Sequence, residues 1–197
     1  TVIKATVGAI PGVLKGSKFN KAFYIDALAM LFEVLAKVRK EGLMSIEGDI
    51  ENPEASPIFS KYPNLVSDHH IMEFVTDYLR MMVSGNLNSH EIEALMDSEI
   101  DTHHQEAHAP VAALARLAGA LPAFGIIAAV LVGTFLGIRI AYGFVEPVAK
   151  LLEQKAAEEG TIYKCIKMVL LASMSGYAPQ VAIEFGRKTL DSHSRPS

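Results

Sequence analysis

Cysteine occurs once in these 197 residues, at Cys165. A single thiol closes no intramolecular disulfide and leaves no cysteine-rich zinc site. Charge of one sign is scarce as well: the formal net charge is −4 and the pI is near 6.0. That balance gives no reason to invoke nucleic acid. No P-loop, phosphate-binding glycine pattern or hydrolytic constellation is present, and an enzyme reading rests only on scattered carboxylates. The opening stretch, TVIKATVGAIPGVLKGSK, carries lysines but no continuous apolar run and no small-residue cleavage site, so it does not read as a signal peptide. Because the chain begins at Thr1 rather than Met, a further segment is expected before it. Strand-like alternation, internal repeats and low-complexity tracts are all missing.

What is there is apolar and helical. Half of the residues are hydrophobic, 20% are charged and mean hydropathy is +0.26, between the values of a soluble domain and a membrane protein. In 19–41, Leu28, Leu31, Phe32, Leu35 and Val38 recur at helical spacing, and Lys37, Arg39, Lys40 and Glu41 crowd the end before Gly42. Three prolines (Pro53, Pro57, Pro63) break the pattern over 43–68, with Ser56–Pro57 set like the cap and first residue of a short helix. A second amphipathic helix covers 69–84, its stripe formed by Phe74, Val75, Tyr78, Leu79 and Met82, and Gly85 is its natural stop. Asn88 and Glu91 open a third helix as a capping box. That helix is acidic at first and apolar after Pro110. A fourth is expected through 131–158 as far as Gly160, and a fifth through 161–190. The fold class expected is all-α, with membrane helices continuing into a cytoplasmic helical domain.

Leu117 to Ile138 runs for 22 residues without a charge, long enough to cross a bilayer as one helix. The competing reading is a buried core helix of a soluble protein. Glycines 119, 125, 133 and 137 favour close helix packing in lipid. A second apolar stretch, Met168 to Ile183, is 16 residues long and interrupted by Gly176 and Pro179, which suits an interior position instead. Ten Lys and Arg precede Leu117 and eight follow Ile138, so both flanks look cytoplasmic. One crossing cannot leave both flanks on one side.

Long blocks carry a resemblance that resolves this. They are GSKFNKAFYIDALA, KEGLMSIEGDIENPEASPIFSKYP, VTDYLRMMVSGNLNSHEIEALMDSEIDTHHQEA, LPAFGIIAAV, LVGTFLGIRIAYGFVEPVA and SGYAPQVAIEFGRKTL. In this order they resemble the MotA family of flagellar stator subunits, within the wider proton-channel group that also holds TolQ and ExbB. The family has four membrane helices. The resemblance implies that this chain starts after the first two and lacks roughly two dozen residues between Val130 and Leu131, the usual complement of helix ends and turn there. The expected divisions are 1–110 as a rotor-facing cytoplasmic domain, 111–130 and 131–150 as the third and fourth membrane helix regions, and 151–197 as C-terminal cytoplasmic helices. An ExbB or TolQ subunit lacks a cytoplasmic domain of this form; a helical scaffold protein would need 117–138 as core.

The resemblance also implies function. Such a subunit sits in the bacterial inner membrane, surrounds MotB as a ring, a pentamer in the family, and contacts lipid. With MotB it forms a channel whose ion flow drives torque on the rotor protein FliG; it has no cofactor. Arg39 and Glu47 stand at the family's rotor-contact positions, with Lys40 and Asp49 as neighbours and Gly48 where many relatives carry a charge. Charges of both signs suit brief, steered contact; a basic helix end complementing its dipole is the plain alternative. Pro122 and Pro147 match two prolines near the channel's cytoplasmic end, where a missing backbone donor permits a bend. Ala129 and Thr134 fall in the region facing MotB. Sodium-driven relatives tend to carry threonine at the position of Ala129, so protons are the expected ion. Arg139 and Glu146 depart from the family's usual uncharged residues, and a contact between them across two turns is one possibility. His104 and His108 share a helical face beside His103, but no third ligand is fixed by spacing, and no metal is expected.

Overall fold

The computed structural model describes residues 18–85, 88–128, 132–192 and 194–196, and every regular element among them is helical. They form two compact units. One comprises Lys18–Ile100 and Gly160–Ser197; the other contains Asp101–Glu159.

In the first unit, α1 (Lys21–Glu41) opens on Asn20, whose side chain accepts the Phe23 N–H at 2.9 Å. That bond satisfies one of the donors a helix start leaves over. Its buried face is Phe23, Tyr24, Ala27, Leu28, Met30, Leu31, Val34 and Leu35. Phe32 breaks the expected stripe and stays exposed, because its position rotates off the buried face. Gly42, at φ +89°, ends the helix with a backbone angle that other residues rarely adopt. A 3₁₀ turn (Leu43–Ile46) then leads into a short helix α2 (Glu47–Glu51). Ser56 caps a turn as expected: its hydroxyl accepts the N–H groups of Ile58 and Phe59 at 3.2 and 3.3 Å. After α3 (Pro63–Val66), α4 (His69–Ser84) buries all five residues of its expected stripe and stops at Gly85 in the left-handed conformation.

Asn88 and Glu91 make the reciprocal capping bonds. Asn88 Oδ1 accepts the Glu91 N–H at 3.0 Å while Glu91 accepts the Asn88 N–H at 2.9 Å. Helix α5 (Ser89–Ala128) starts there and supplies 89–100 to this unit. Two elements remain to be placed, α6 (Val132–Ile140) and α7 (Glu146–Met174), the latter giving this unit its segment from Gly160 onward. The expected stop at Gly160 is wrong. Helix α7 passes through that glycine and ends near Gly176, whose φ is +84°. Pro179 then begins α8 (Pro179–Lys188) as its first residue, where a missing N–H costs nothing. The Met168–Ile183 stretch, expected inside, is so only in part: Val169, Leu170, Ala172, Pro179 and Ala182 are buried, while Ser175, Gly176, Tyr177, Gln180 and Val181 around the turn are exposed. Phe74 packs edge-on against both Tyr78 and Tyr163, at 4.8 and 5.0 Å between centroids. Lys167 binds Asp97 at 2.6 Å and Glu93 at 3.5 Å, so part of the acidic face of α5 is pinned rather than simply solvated.

The second unit has a smaller core, Leu114, Ala118, Val145 and Ala149, with Leu121, Val148 and Leu152 against it. Between α6 and α7 a π-helical turn, Ala141–Val145, interrupts what was expected to be one continuous helix over 131–158. Among the described residues no helix is long and apolar enough to cross a membrane. The expected 22-residue span falls on α5 and α6, with 129–131 between them outside the described residues.

Candidate functional site

The Gly42 turn decides how the charged cluster is displayed. Arg39 and Lys40 occupy the last turn of α1, Glu47 begins α2, and all three are exposed. Arg39 and Glu47 make no hydrogen bond or ion pair among the described residues. Lys40 reaches Glu41 only at 3.9 Å, a contact between exposed groups that contributes little. Two opposite charges thus stand on either side of the Gly42 turn with their interaction capacity unspent.

Asp49 does not join them. Its side chain is buried, receives Lys37 Nζ at 2.7 Å on one oxygen and the Ser56 hydroxyl at 2.7 Å on the other. Alternation around the short helix turns Asp49 inward while Glu47 points out. The expectation of a surface contact at Asp49 is therefore corrected: it is a structural carboxylate that braces the loop after α2. Spacing alone hid this, since an acidic residue two positions from another reads as part of the same patch.

A second brace lies behind α1. Tyr62 donates to Glu33 at 2.9 Å and Lys61 pairs with the same carboxylate. The Lys61 hydrogen bond, opposed by partial burial and aided by Tyr62, holds Glu33 below the usual carboxylate range. Burial and the Glu33 contact push the Tyr62 phenol up to about 12. Sequence reasoning missed the Arg80 knot on α4 as well. Arg80 binds Glu51 at 2.9 Å and Asp77 at 2.6 Å, and with Glu51 and Glu47 it lines an open hollow of about 410 Å³.

In the second unit, Pro122 lies within α5 and Pro147 at the start of α7, directly after the π turn. Pro122 is half-buried and Pro147 exposed. Gly137 of α6 comes so near that a methyl there would lie 2.8 Å from the Leu121 carbonyl and 3.4 Å from Pro122 Cα. That is the close helix approach expected of the glycines. Gly119 has nothing within 4 Å and does not share the role. Ala129 lies outside the described residues, and only the backbone of Thr134 is described.

The proposed Arg139–Glu146 contact is not formed. Glu146 pairs with Lys150 at 3.4 Å, and the Arg139 guanidinium lies 5.9 Å from the Phe135 ring centroid. A helical i, i+4 pair is closer to hand than a partner two turns away. Phe135, Leu136, Ile138, Ile140, Tyr142 and Phe144 are all exposed, so this segment presents an apolar surface. His104 and His108 meet edge-on with ring centroids 4.2 Å apart, and no group of three metal-ligating side chains assembles among the described residues.

The chain's similarities converge. Residues 1–42 match the family model described as motility protein A N-terminal. Motility protein A of Salmonella typhimurium is 47% identical over 219 residues, covering 99% of this chain and 74% of the relative, and that of Escherichia coli matches equally. Chemotaxis protein LafT of Vibrio parahaemolyticus is 31% identical, over 100% of this chain and 77% of its own length. The structure of Campylobacter jejuni (C. jejuni) MotAB shares the fold at a TM-score of 0.73 with 19% identity, covering 100% of this chain and 78% of that one. The Salmonella match extends over 219 residues against the 197 of this chain. Within the matched span, then, the relatives fill at least 22 positions that this chain leaves empty.

Proposed function

The chain belongs to the motility protein A family, and from that premise we propose that it is the stator subunit that forms a proton channel with MotB and drives the flagellar rotor. The single observation that carries this is 47% identity along 99% of the chain to proteins named for motility. It works as a channel component, not an enzyme. Several copies surround MotB in the inner membrane as a ring, a pentamer. The MotB helix brings the titrating carboxylate, since no intramembrane acid is offered here by 117–138.

The relatives' surplus of residues agrees with a missing end of the third membrane helix, a turn and the start of the fourth at the Val130–Leu131 junction, so that 1–110 and 151–197 share the cytoplasmic side. The exposed apolar face from Phe135 to Phe144 suits lipid or neighbouring channel helices. Arg139 fits that setting by keeping its charge near an aromatic face at a helix end. Pro122 and Pro147 flank the packing of α5 with α6 and the π turn, and they supply the bend through which a protonation event moves the domain below. Protons rather than sodium pass, because Ala129 brings no oxygen to a dehydrated cation.

Force reaches the rotor through Arg39, Lys40 and Glu47, which meet charges of opposite sign on FliG. The exposure of all three, with Arg39 and Glu47 unpaired among the described residues and Lys40 held only by a 3.9 Å contact with Glu41, supports that role. Reversing Arg39 or Glu47 should impair rotation at an unchanged membrane level, and a compensating reversal on FliG should restore part of it. Disappearance of the variant protein from the membrane would point to a folding role instead.

A further inference from the structure

Helix α5 carries three histidines within six positions, His103, His104 and His108, and no part of the proposed function uses them. An interval of four residues brings His104 and His108 onto one face, a turn apart. Their rings meet edge-on with centroids 4.2 Å apart. His103 is turned about 100° round the helix and belongs to another face. His104 is exposed and His108 half-buried, and neither makes a hydrogen bond or ion pair among the described residues. The helix itself brings no competing cation. No lysine or arginine occurs between Arg80 and Arg116, whereas Asp101 and Glu106 are exposed close by.

A neutral imidazole offers one ring nitrogen as a lone-pair donor. Borderline dications take such nitrogens at about 2.0–2.1 Å, so two rings sharing one ion bring their donor nitrogens to about 3 Å of each other. Rings with centroids at 4.2 Å reach that spacing by turning about their side-chain bonds, with the helix backbone left in place. The helix has already ordered the pair, which lowers the entropic cost of chelation. Exposed carboxylates beside it raise the local concentration of cations. No third histidine, cysteine or carboxylate gathers there among the described residues, so water fills the remaining positions. That excludes a closed four-ligand structural centre and leaves an exchangeable site. Nitrogen donors select Zn²⁺, Ni²⁺ and Cu²⁺ over Mg²⁺ and Ca²⁺, which prefer oxygen.

We propose that His104 and His108 form a two-imidazole site for a transition-metal dication of the Zn²⁺, Ni²⁺ and Cu²⁺ class. The bound ion closes a ring across one turn of α5 and holds that turn helical, upstream of Pro122 on the same helix. A site of two ligands and water releases its ion readily, so the turn is stiffened in proportion to the metal supplied. None of this depends on channel or rotor.

The test uses the full-length protein with MotB in micelles, purified through a tag free of histidine, and titrates NiCl₂ by calorimetry near neutral pH. The parent should bind one Ni²⁺ per chain at a site that His104→Gln and His108→Gln each weaken roughly a hundredfold, as expected for losing half of a chelate. His103→Gln should bind like the parent. Excess Mg²⁺ should leave the affinity unchanged. Glutamine is a good helix former, so α5 is retained in all three variants, and circular dichroism checks it. Amide hydrogen exchange over residues 104–108 gives a second readout: Ni²⁺ should slow it in the parent and in His103→Gln only. Equal Ni²⁺ affinity in the parent, His104→Gln and His108→Gln would overturn the site. So would an equal loss in His103→Gln, which would place the ligands elsewhere on the helix.

Discussion

Asp49 gives the sharpest measurement of how this surface is divided between structure and contact. It is 5% exposed and accepts two hydrogen bonds, from Lys37 and from Ser56, both at 2.7 Å. Ser56 is 2% exposed and its oxygen already accepts two backbone N–H groups. Asp49→Ala strands the buried hydroxyl proton, which costs about 1–3 kcal/mol. Lys37 keeps 28% of its side chain exposed and can turn to water, so it loses less than the full charge-assisted bond. The two together come to about 2–4 kcal/mol. Asp49→Asn retains an acceptor for Ser56 and should cost about half as much. Glu47→Ala, at an exposed position without an internal partner, should stay within about 0.5 kcal/mol. Denaturant unfolding of the full-length protein in micelles, followed by circular dichroism, reads all three. Equal stability of Asp49→Ala and the parent would refute the brace; a loss in Glu47→Ala as large as in Asp49→Ala would refute the division.

Other consequences are more local. In Gly186→Ala the new methyl would fall 2.4 Å from Val169 Cγ2, 3.0 Å from the Cys165 carbonyl and 3.2 Å from its sulfur. Overpacking of that kind costs about 1–3 kcal/mol and should lower the unfolding midpoint measurably. Glu33 supplies a pH dependence: its folded-state pKa lies below the ordinary 4.5, so its stabilisation is complete above the unfolded value and is lost as pH falls through the folded one. Glu33→Gln should therefore narrow the stability gap between pH 7 and acid, with the difference concentrated below the ordinary carboxylate range; an unchanged acid profile would remove the role.

Reading residues in order served well wherever structure was set by neighbours. The Asn88–Glu91 cap, the Gly85 stop and the α4 stripe are local, and each is seen as expected. Gly160 misled because a glycine lowers helix propensity without breaking a helix that tertiary packing supports. Ile162, Tyr163, Ile166 and Val169, immediately after it, are all buried and carry α7 onward. The π turn was invisible because its five residues, AYGFV, have no period of their own. In the charged cluster, residue type located the patch but could not tell Glu47 from Asp49, since inward and outward faces depend on a turn that only the Gly42 conformation sets. Arg80 was missed for a related reason: its partners Glu51 and Asp77 come from two elements, and only their packing joins them.

The central claim is that this subunit, with MotB, converts proton flow into torque, and rotation under a controlled ion supply tests it most directly. Cells lacking stators should resume rotation in sodium-free medium when the full-length protein is induced with MotB. Bead speed should rise in discrete steps as stators join, and a protonophore should abolish it. Absence of steps at a normal membrane level would contradict the stator assignment. Speed that tracked external sodium at constant proton-motive force would contradict the ion.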